Sequence, residues 1–277
     1  MTSPQELPLD HIVIAVADLA RTIIDYRALG FTVVEGGKHP GRTSHNALVV
    51  FEDGVYLELI AWQAPAPEER WYRTQTAHGE GFVDFALLPH DTAQVLAAAR
   101  ARGLGSLNGP IDGGRNRPDG ARLQWQSARH ATPDVPFLCG DVTPRALRVP
   151  EGDVRRHANG ATGVASLAVA VQDIEASLTR YKQLLGPGPA ENACSFLLPG
   201  LGLRLAVVPV RAASVVLMTP ANAAALAGEP AVAAVLRARL ASRGEGPCAL
   251  SLRAAAGVMP LHFAPTLSHG AALELGA

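Results

Sequence analysis

From His11 to Asp18 the chain is apolar and β-branched, HIVIAVAD, and an aspartate closes the run. The period then changes. In LARTIIDYRALG, Leu19, Ile23, Tyr26 and Leu29 recur near helical spacing, and a glycine ends the stretch. A strand, an Asp N-cap, a helix and a glycine stop account for this pattern. The phrase returns as DFALLPHD at 84–91, followed by TAQVLAAARARG, and as SLAVAVQD at 166–173, followed by IEASLTRYKQLLG. In all three copies the first residue lies seven positions before the capping aspartate. A weaker fourth copy aligns RGEGPCALSL (243–252) with HGEGFVDFAL (78–87), which puts Ala249 at the place of Asp84; this copy has lost its helix. The pattern predicts strands beginning near His11, Phe82, Ala165 and Cys248, and helices after Asp18, Asp91 and Asp173.

Short apolar runs follow each helix. In the first unit they are FTVVEGG, NALVVF and VYLELIAW, with EDG as a turn, so the unit reads β-α-β-β-β. GAALEL (270–275) repeats GVYLEL (54–59), which makes Glu58 and Glu274 equivalent. The organisation expected is a first domain over 1–150, with modules at about 8–62 and 80–147. A Gly- and charge-rich linker follows over 151–162, then a degenerate second domain over 163–277.

The chain has 277 residues, 48% of them hydrophobic and 18% charged, enough for a sizeable core and too apolar for wholesale disorder. A net charge of -1 argues against nucleic acid or an anionic membrane as partner. Three separated cysteines without a CxxC pair argue against a disulfide framework and a thiolate zinc site, and fit a reducing compartment. The N-terminus has no basic n-region, and no apolar run reaches the ~18 residues of a membrane span, so a cytoplasmic location is expected. No GxGxxG, Walker, GxSxG or HExxH motif supports NAD, ATP, serine-hydrolase or zincin chemistry.

Four βαβββ units taken in pairs resemble the vicinal-oxygen-chelate superfamily. The segments LDHIVIAVADL, KHPGRTSHNALVVFEDGVYLELIAW, RPDGARLQW, VPFL and HANGATGV are similar to its glyoxalase-like branch. The resemblance implies an α+β fold in which paired βαβββ modules form open half-barrel clefts, with four module copies in two tandem domains. It also implies a divalent metal (Zn, Ni, Mn, Fe or Mg) held by ligands from the first and last strand of each module. Carried over, these positions are His11, Glu58, Asp84 and a fourth near Gly140, which has no donor. The second pair reads Ser166, Val216, Ala249 and Glu274, too poor for a metal, so packing against the first domain is its expected role. For each residue a plainer reading stands beside this one. His11 can serve at a strand start, and Glu58, alternating with Leu57 and Leu59, faces either solvent or the cleft. Asp84 between Val83 and Phe85 must be paired or metal-bound if buried.

His45 at a strand start is the candidate acid or base, although a turn histidine is commoner. Arg115 and Arg117 around a PDG turn, with Trp125, are candidates for holding substrate, against the default of solvated arginines and a core tryptophan. The expected function is a metal-dependent lyase or isomerase acting on a small oxygen-chelating substrate, with dioxygenase chemistry less favoured. The rival is a non-catalytic protein of the bleomycin-resistance type that sequesters a small molecule. A homodimer is compatible with either.

Overall fold

The computed structural model describes residues 7–117, 119–188, 190–222 and 230–276. The first half runs β1 (Leu9–Ala15), α1 (Leu19–Ala28), β2 (Val34–Lys38), β3 (Ser44–Val50), β4 (Tyr56–Trp62), α2 (Arg70–His78), β5 (Gly81–Leu87), α3 (Thr92–Ala101), β6 (Asn108–Asn116), β7 (Arg122–Arg129), β8 (Phe137–Asp141) and a single turn α4 (Arg145–Arg148). The second half runs β9 (Ala161–Ala170), α5 (Ile174–Leu185), β10 (Ser195–Leu198), β11 (Leu203–Val210), β12 (Ala213–Pro220), α6 (Ala231–Arg243), β13 (Gly246–Ala254), β14 (Leu261–His262) and β15 (Leu273–Gly276).

The repeated aspartates start the helices as the spacing predicts. Asp18 accepts from Arg21 N at 3.0 Å, Asp91 from Gln94 N at 2.9 Å and Asp173 from Ala176 N at 3.0 Å. Each such bond satisfies an otherwise orphaned N–H and stabilises its helix by about 1 kcal/mol.

The GEG repeat has an equally local cause. Gly79 and Gly244 end α2 and α6 at φ 79° and 77°, and Gly81 and Gly246 open β5 and β13 at φ 125° in both copies. Those backbone angles favour glycine. The glutamate between them reaches back to the neighbouring strand–helix turn: Glu80 Oε1 accepts from Ala17 N at 2.7 Å, and Glu245 Oε1 from Gln172 N at 2.8 Å.

Both halves share one strand connectivity. β1 lies parallel to β4 and antiparallel to β5, and β5 lies parallel to β8. In the same way β9 lies parallel to β12 and antiparallel to β13, and β13 lies parallel to β15. Val13 pairs with Asp84 as Ala168 pairs with Ala249, the register the sequence repeat implies.

The first half departs from the expected open half-barrel. β2 meets β6 at Lys38 and Asn116, which closes the order β1-β4-β3-β2-β6-β7-β8-β5 into a barrel. The second half stays an open seven-stranded sheet, order β10-β11-β12-β9-β13-β15-β14. The two halves are packed together through one continuous core. Ile12, Leu57 and Phe85 from the outer barrel wall belong to the same buried cluster as Leu167, Tyr181 and Leu252. Each such side chain contributes roughly 1.5–3 kcal/mol by leaving water. The stretch read as a linker is docked too: His157 is buried, accepting from Thr32 N at 3.0 Å and donating to Val50 O at 3.1 Å. Among the described residues no helix is long and apolar enough to cross a membrane.

Candidate functional site

Strand alternation decides what the barrel encloses. On β4, Leu57, Leu59 and Ala61 join the outer core, so Tyr56, Glu58 and Ile60 face inward. On β1 the outer Ile12 and Ile14 leave His11 and Val13 inside. The enclosed cavity has a volume of about 310 Å³. Its apolar side is built from Val13, Ile60, Phe137 and Cys139, with Trp71 and Trp125 packed against them.

His11 is the centre of a relay. Asp10 accepts three bonds from arginines: one from Arg145 at 2.7 Å and two from Arg148 at 2.7 and 3.2 Å. Burial alone would raise its carboxyl, but Arg148, His11 and Arg145 outweigh it and hold Asp10 well below the usual carboxylate range. An ionised Asp10 can only accept, so the 2.7 Å bond to His11 places the proton on Nδ1. Nε2, the ring nitrogen turned away from Asp10, stands 3.5 Å from Glu58 Oε2. Tyr56 stacks on the ring at 4.7 Å, and Phe137 meets it edge-on at 5.3 Å. Glu58 is 6% exposed; its Oε1 accepts from Asn46 Nδ2 at 2.6 Å and lies 3.9 Å from His39 Nε2. Burial lowers the His39 imidazole despite Glu58, so the ring is neutral at pH 7.

His11 and Glu58 suit a divalent cation in donor type, an imidazole and a carboxylate, whereas His39 approaches the other oxygen of Glu58 and the three donors do not all come within 4.8 Å of one another. The 3.5 Å between His11 Nε2 and Glu58 Oε2 is too long for a hydrogen bond and close to the ~3–3.4 Å that separates N and O ligands of one ion. The Asp10–His11 pair supplies the outer carboxylate that fixes a ligating histidine's tautomer. His39 carries no repeat signal and went unread in the sequence; it sits between β2 and β3 and is brought in by barrel closure. A second cluster, Asp10, His11 and Cys139, has its donor atoms within 4.8 Å of one another. In it Asp10 is committed to arginines, and burial pushes the Cys139 thiol up to about 12.

Other sequence-level assignments require correction. Asp84 is not among the residues lining the cavity. Its Oδ2 accepts from Arg70 and from Trp71 Nε1, with Arg129 at 3.7 Å, and its Oδ1 accepts from Phe85 N. It is buried and paired, the alternative its apolar neighbours left open. The fourth position is Cys139, not Gly140: on β8 Phe137 and Cys139 face inward, while a Cβ on Gly140 would run into Thr92 and Pro89 outside the barrel. A shift of one residue along a strand exchanges faces. His45 is likewise on the outer face of β3, in a surface groove with Lys38 and Arg117. Burial and Lys38 lower its imidazole, but it does not reach the cavity. Arg117 bonds Asp119 at 3.0 Å there and also lies outside. Arg115 and Trp125 do line the cavity. Arg115 is 4% exposed and donates to Arg148 O at 3.0 Å; Trp125 lies across Gly113, where no Cβ would fit. In the second half, Glu274 is exposed and 3.8 Å from His262, far from any such assembly.

Comparison with known proteins agrees with this architecture. A family model described as a glyoxalase-like domain matches residues 9–185. No curated protein matches the sequence. Among solved structures, a hypothetical protein from Staphylococcus aureus is 12% identical with a TM-score of 0.69, over 98% of this chain and 99% of that one. A mutant 4-hydroxymandelate synthase from Streptomyces coelicolor is 15% identical with a TM-score of 0.60, over 90% of this chain and 71% of that one. A xylose isomerase-like TIM barrel/4-hydroxyphenylpyruvate dioxygenase fusion protein is 17% identical with a TM-score of 0.52; the match covers 90% of this chain and 37% of that one. At these identities the likeness is one of fold. With the family model spanning all of the barrel and the strand and helix that follow it, the chain belongs to the glyoxalase-like domain family of the vicinal-oxygen-chelate superfamily.

Proposed function

We propose that the chain is a metal-dependent lyase or isomerase that handles a small oxygen-rich molecule inside the barrel. The observation that carries this reading is the Asp10–His11–Glu58 relay, aimed into an enclosed cavity. His11 and Glu58 would hold a divalent ion (Zn, Ni, Mn, Fe or Mg). When bound, the ion would supply Lewis acidity toward neighbouring substrate oxygens. The protein's own side chains do the rest. Asp10 holds the His11 ring at Nδ1, and Asn46 fixes the Glu58 carboxylate through Oε1. The neutral His39 ring, held at Nδ1 by Ser44 at 3.0 Å, can take a proton at Nε2. Arg115 and Trp125 flank the substrate space. The three cysteines are free thiols, in keeping with the cytoplasm.

A second reading has one observation in its favour. With Asp84 paired to arginines and a protonated Cys139 at the fourth place, two superfamily ligand positions are lost, as in a binding protein that sequesters its ligand. Metal analysis of protein purified without chelator separates the two. The enzyme reading expects near-stoichiometric divalent metal in the parent and its loss in His11→Ala. Metal-free parent protein would overturn it and leave the binding protein.

A further inference from the structure

Arg129 on β7 has no place in the relay, yet it lines the same cavity. Its guanidinium carbon sits 4.5 Å from the centroid of Trp71 and 4.5 Å from that of Phe137. Its one charge partner is Asp84, at 3.7 Å, and that carboxylate is already closed on by Arg70 and Trp71. Among the described residues no hydrogen bond from Arg129 is present, and about a third of its side chain is open, on the cavity wall. One carboxylate thus serves two guanidiniums, so Arg129 shares its counter-ion with Arg70 while lining the cavity. A cation there is costly unless a partner arrives.

The placement suits a ligand. The Phe137 ring that holds Arg129 also touches His11, at 5.3 Å, so one ring separates the cation from the relay. A small molecule can reach both. Trp125, lying across Gly113, offers a flat wall in the same cavity.

We infer that the molecule taken up by the barrel is a small, flat organic carboxylate, whose charged end pairs with Arg129 while its far end reaches His11 and Glu58. This rests on the barrel cavity being the ligand site and deepens the proposed function by naming its substrate class. Arg129 meets a carboxylate through two parallel N–H donors, a geometry a lysine cannot reproduce.

The test compares benzoate with its neutral isostere benzamide, using intrinsic fluorescence, since all three tryptophans pack on the cavity cluster. Benzoate should bind the parent about 10- to 100-fold more tightly than benzamide. Arg129→Met, which keeps the packing between Trp71 and Phe137, should bring benzoate down to the benzamide level. Arg129→Gln serves if the Met variant does not fold. Arg117→Ala, in the outer groove, should keep the full preference. The preference should survive dialysis against EDTA, which separates pairing with Arg129 from chelation of a metal. Equal binding of the two probes, no binding of either at millimolar concentration, or an unchanged preference in both neutral variants would overturn the inference. Metal content, measured on the same samples, tests the proposed function separately: metal-free protein that prefers benzoate through Arg129 would sink the enzyme reading and leave this one standing.

Discussion

His11 Nε2 stands 3.5 Å from Glu58 Oε2, and its other ring nitrogen donates to Asp10 at 2.7 Å. The two residues lie 47 positions apart and are joined by the parallel pairing of β1 with β4, in which Val13 is level with Glu58. Glu274 holds the equivalent repeat position on β15 but is exposed, with only His262 at 3.8 Å. Glu58→Ala and Glu274→Ala should therefore behave differently. Loss of Glu58 should lower metal affinity by more than the ~10–100-fold typical of a residue behind a ligand. Glu274→Ala should leave metal content and Tm at parental values. Equal effects on bound metal would show that the site has been assigned to the wrong half.

Asp84→Asn distinguishes a ligand from a structural counter-ion. It leaves Arg70 and Arg129 without their carboxylate, and breaking a buried ion pair costs about 3–5 kcal/mol. Chemical denaturation should show that loss, while bound metal per folded molecule stays unchanged. Intact stability with lost metal would restore Asp84 as a ligand.

Asp10 makes the acid limb of stability. Its folded-state carboxyl lies well below the ordinary value, with Arg148, His11 and Arg145 overcoming the effect of burial. In the unfolded chain it titrates near pH ~4. Its contribution is therefore fully present above that pH and is lost as pH falls toward the folded value. Between pH ~7 and ~5 this group should not alter Tm; below ~4 it should lower it. Asp10→Asn should cost about 3–5 kcal/mol at neutral pH and flatten the acid limb, because two arginines lose their partner. A variant as stable as the parent at neutral pH would contradict the pairing.

The cysteines should sort by environment. Burial pushes the Cys139 thiol up to about 12, whereas Cys194 is exposed. Thiol reagents at pH ~8 should label Cys194 in the native protein and reach Cys139 only on unfolding, since the thiolate is the reactive form. Rapid native labelling of Cys139, read by peptide mass spectrometry, would show that the cavity is open enough to ionise it.

What could be read from the chain is what short-range physics sets. Asp18, Asp91 and Asp173 cap helices through bonds to residues two or three positions on, and the GEG repeat needs only local backbone angles, so spacing exposed both. Period-two alternation bounded the choice for Glu58 to cleft or solvent, and the resemblance named His11 beside it. The resemblance put the fourth position near Gly140, one residue from the inward-facing Cys139, because no turn or cap pins the register of β8 in the sequence.

The rest was decided by contacts between distant parts of the chain. Asp10 meets Arg145 from 135 residues away, and Asp84 meets Arg70 and Arg129 from 14 and 45. His39 enters the site because β2 reaches β6 and the barrel closes, and the same closure leaves His45 and Arg117 outside. Whether a charged side chain is a ligand, a counter-ion or a solvated surface group depends on which opposite charges share its low-dielectric surroundings. Those partners come together only when eight strands surround one cavity.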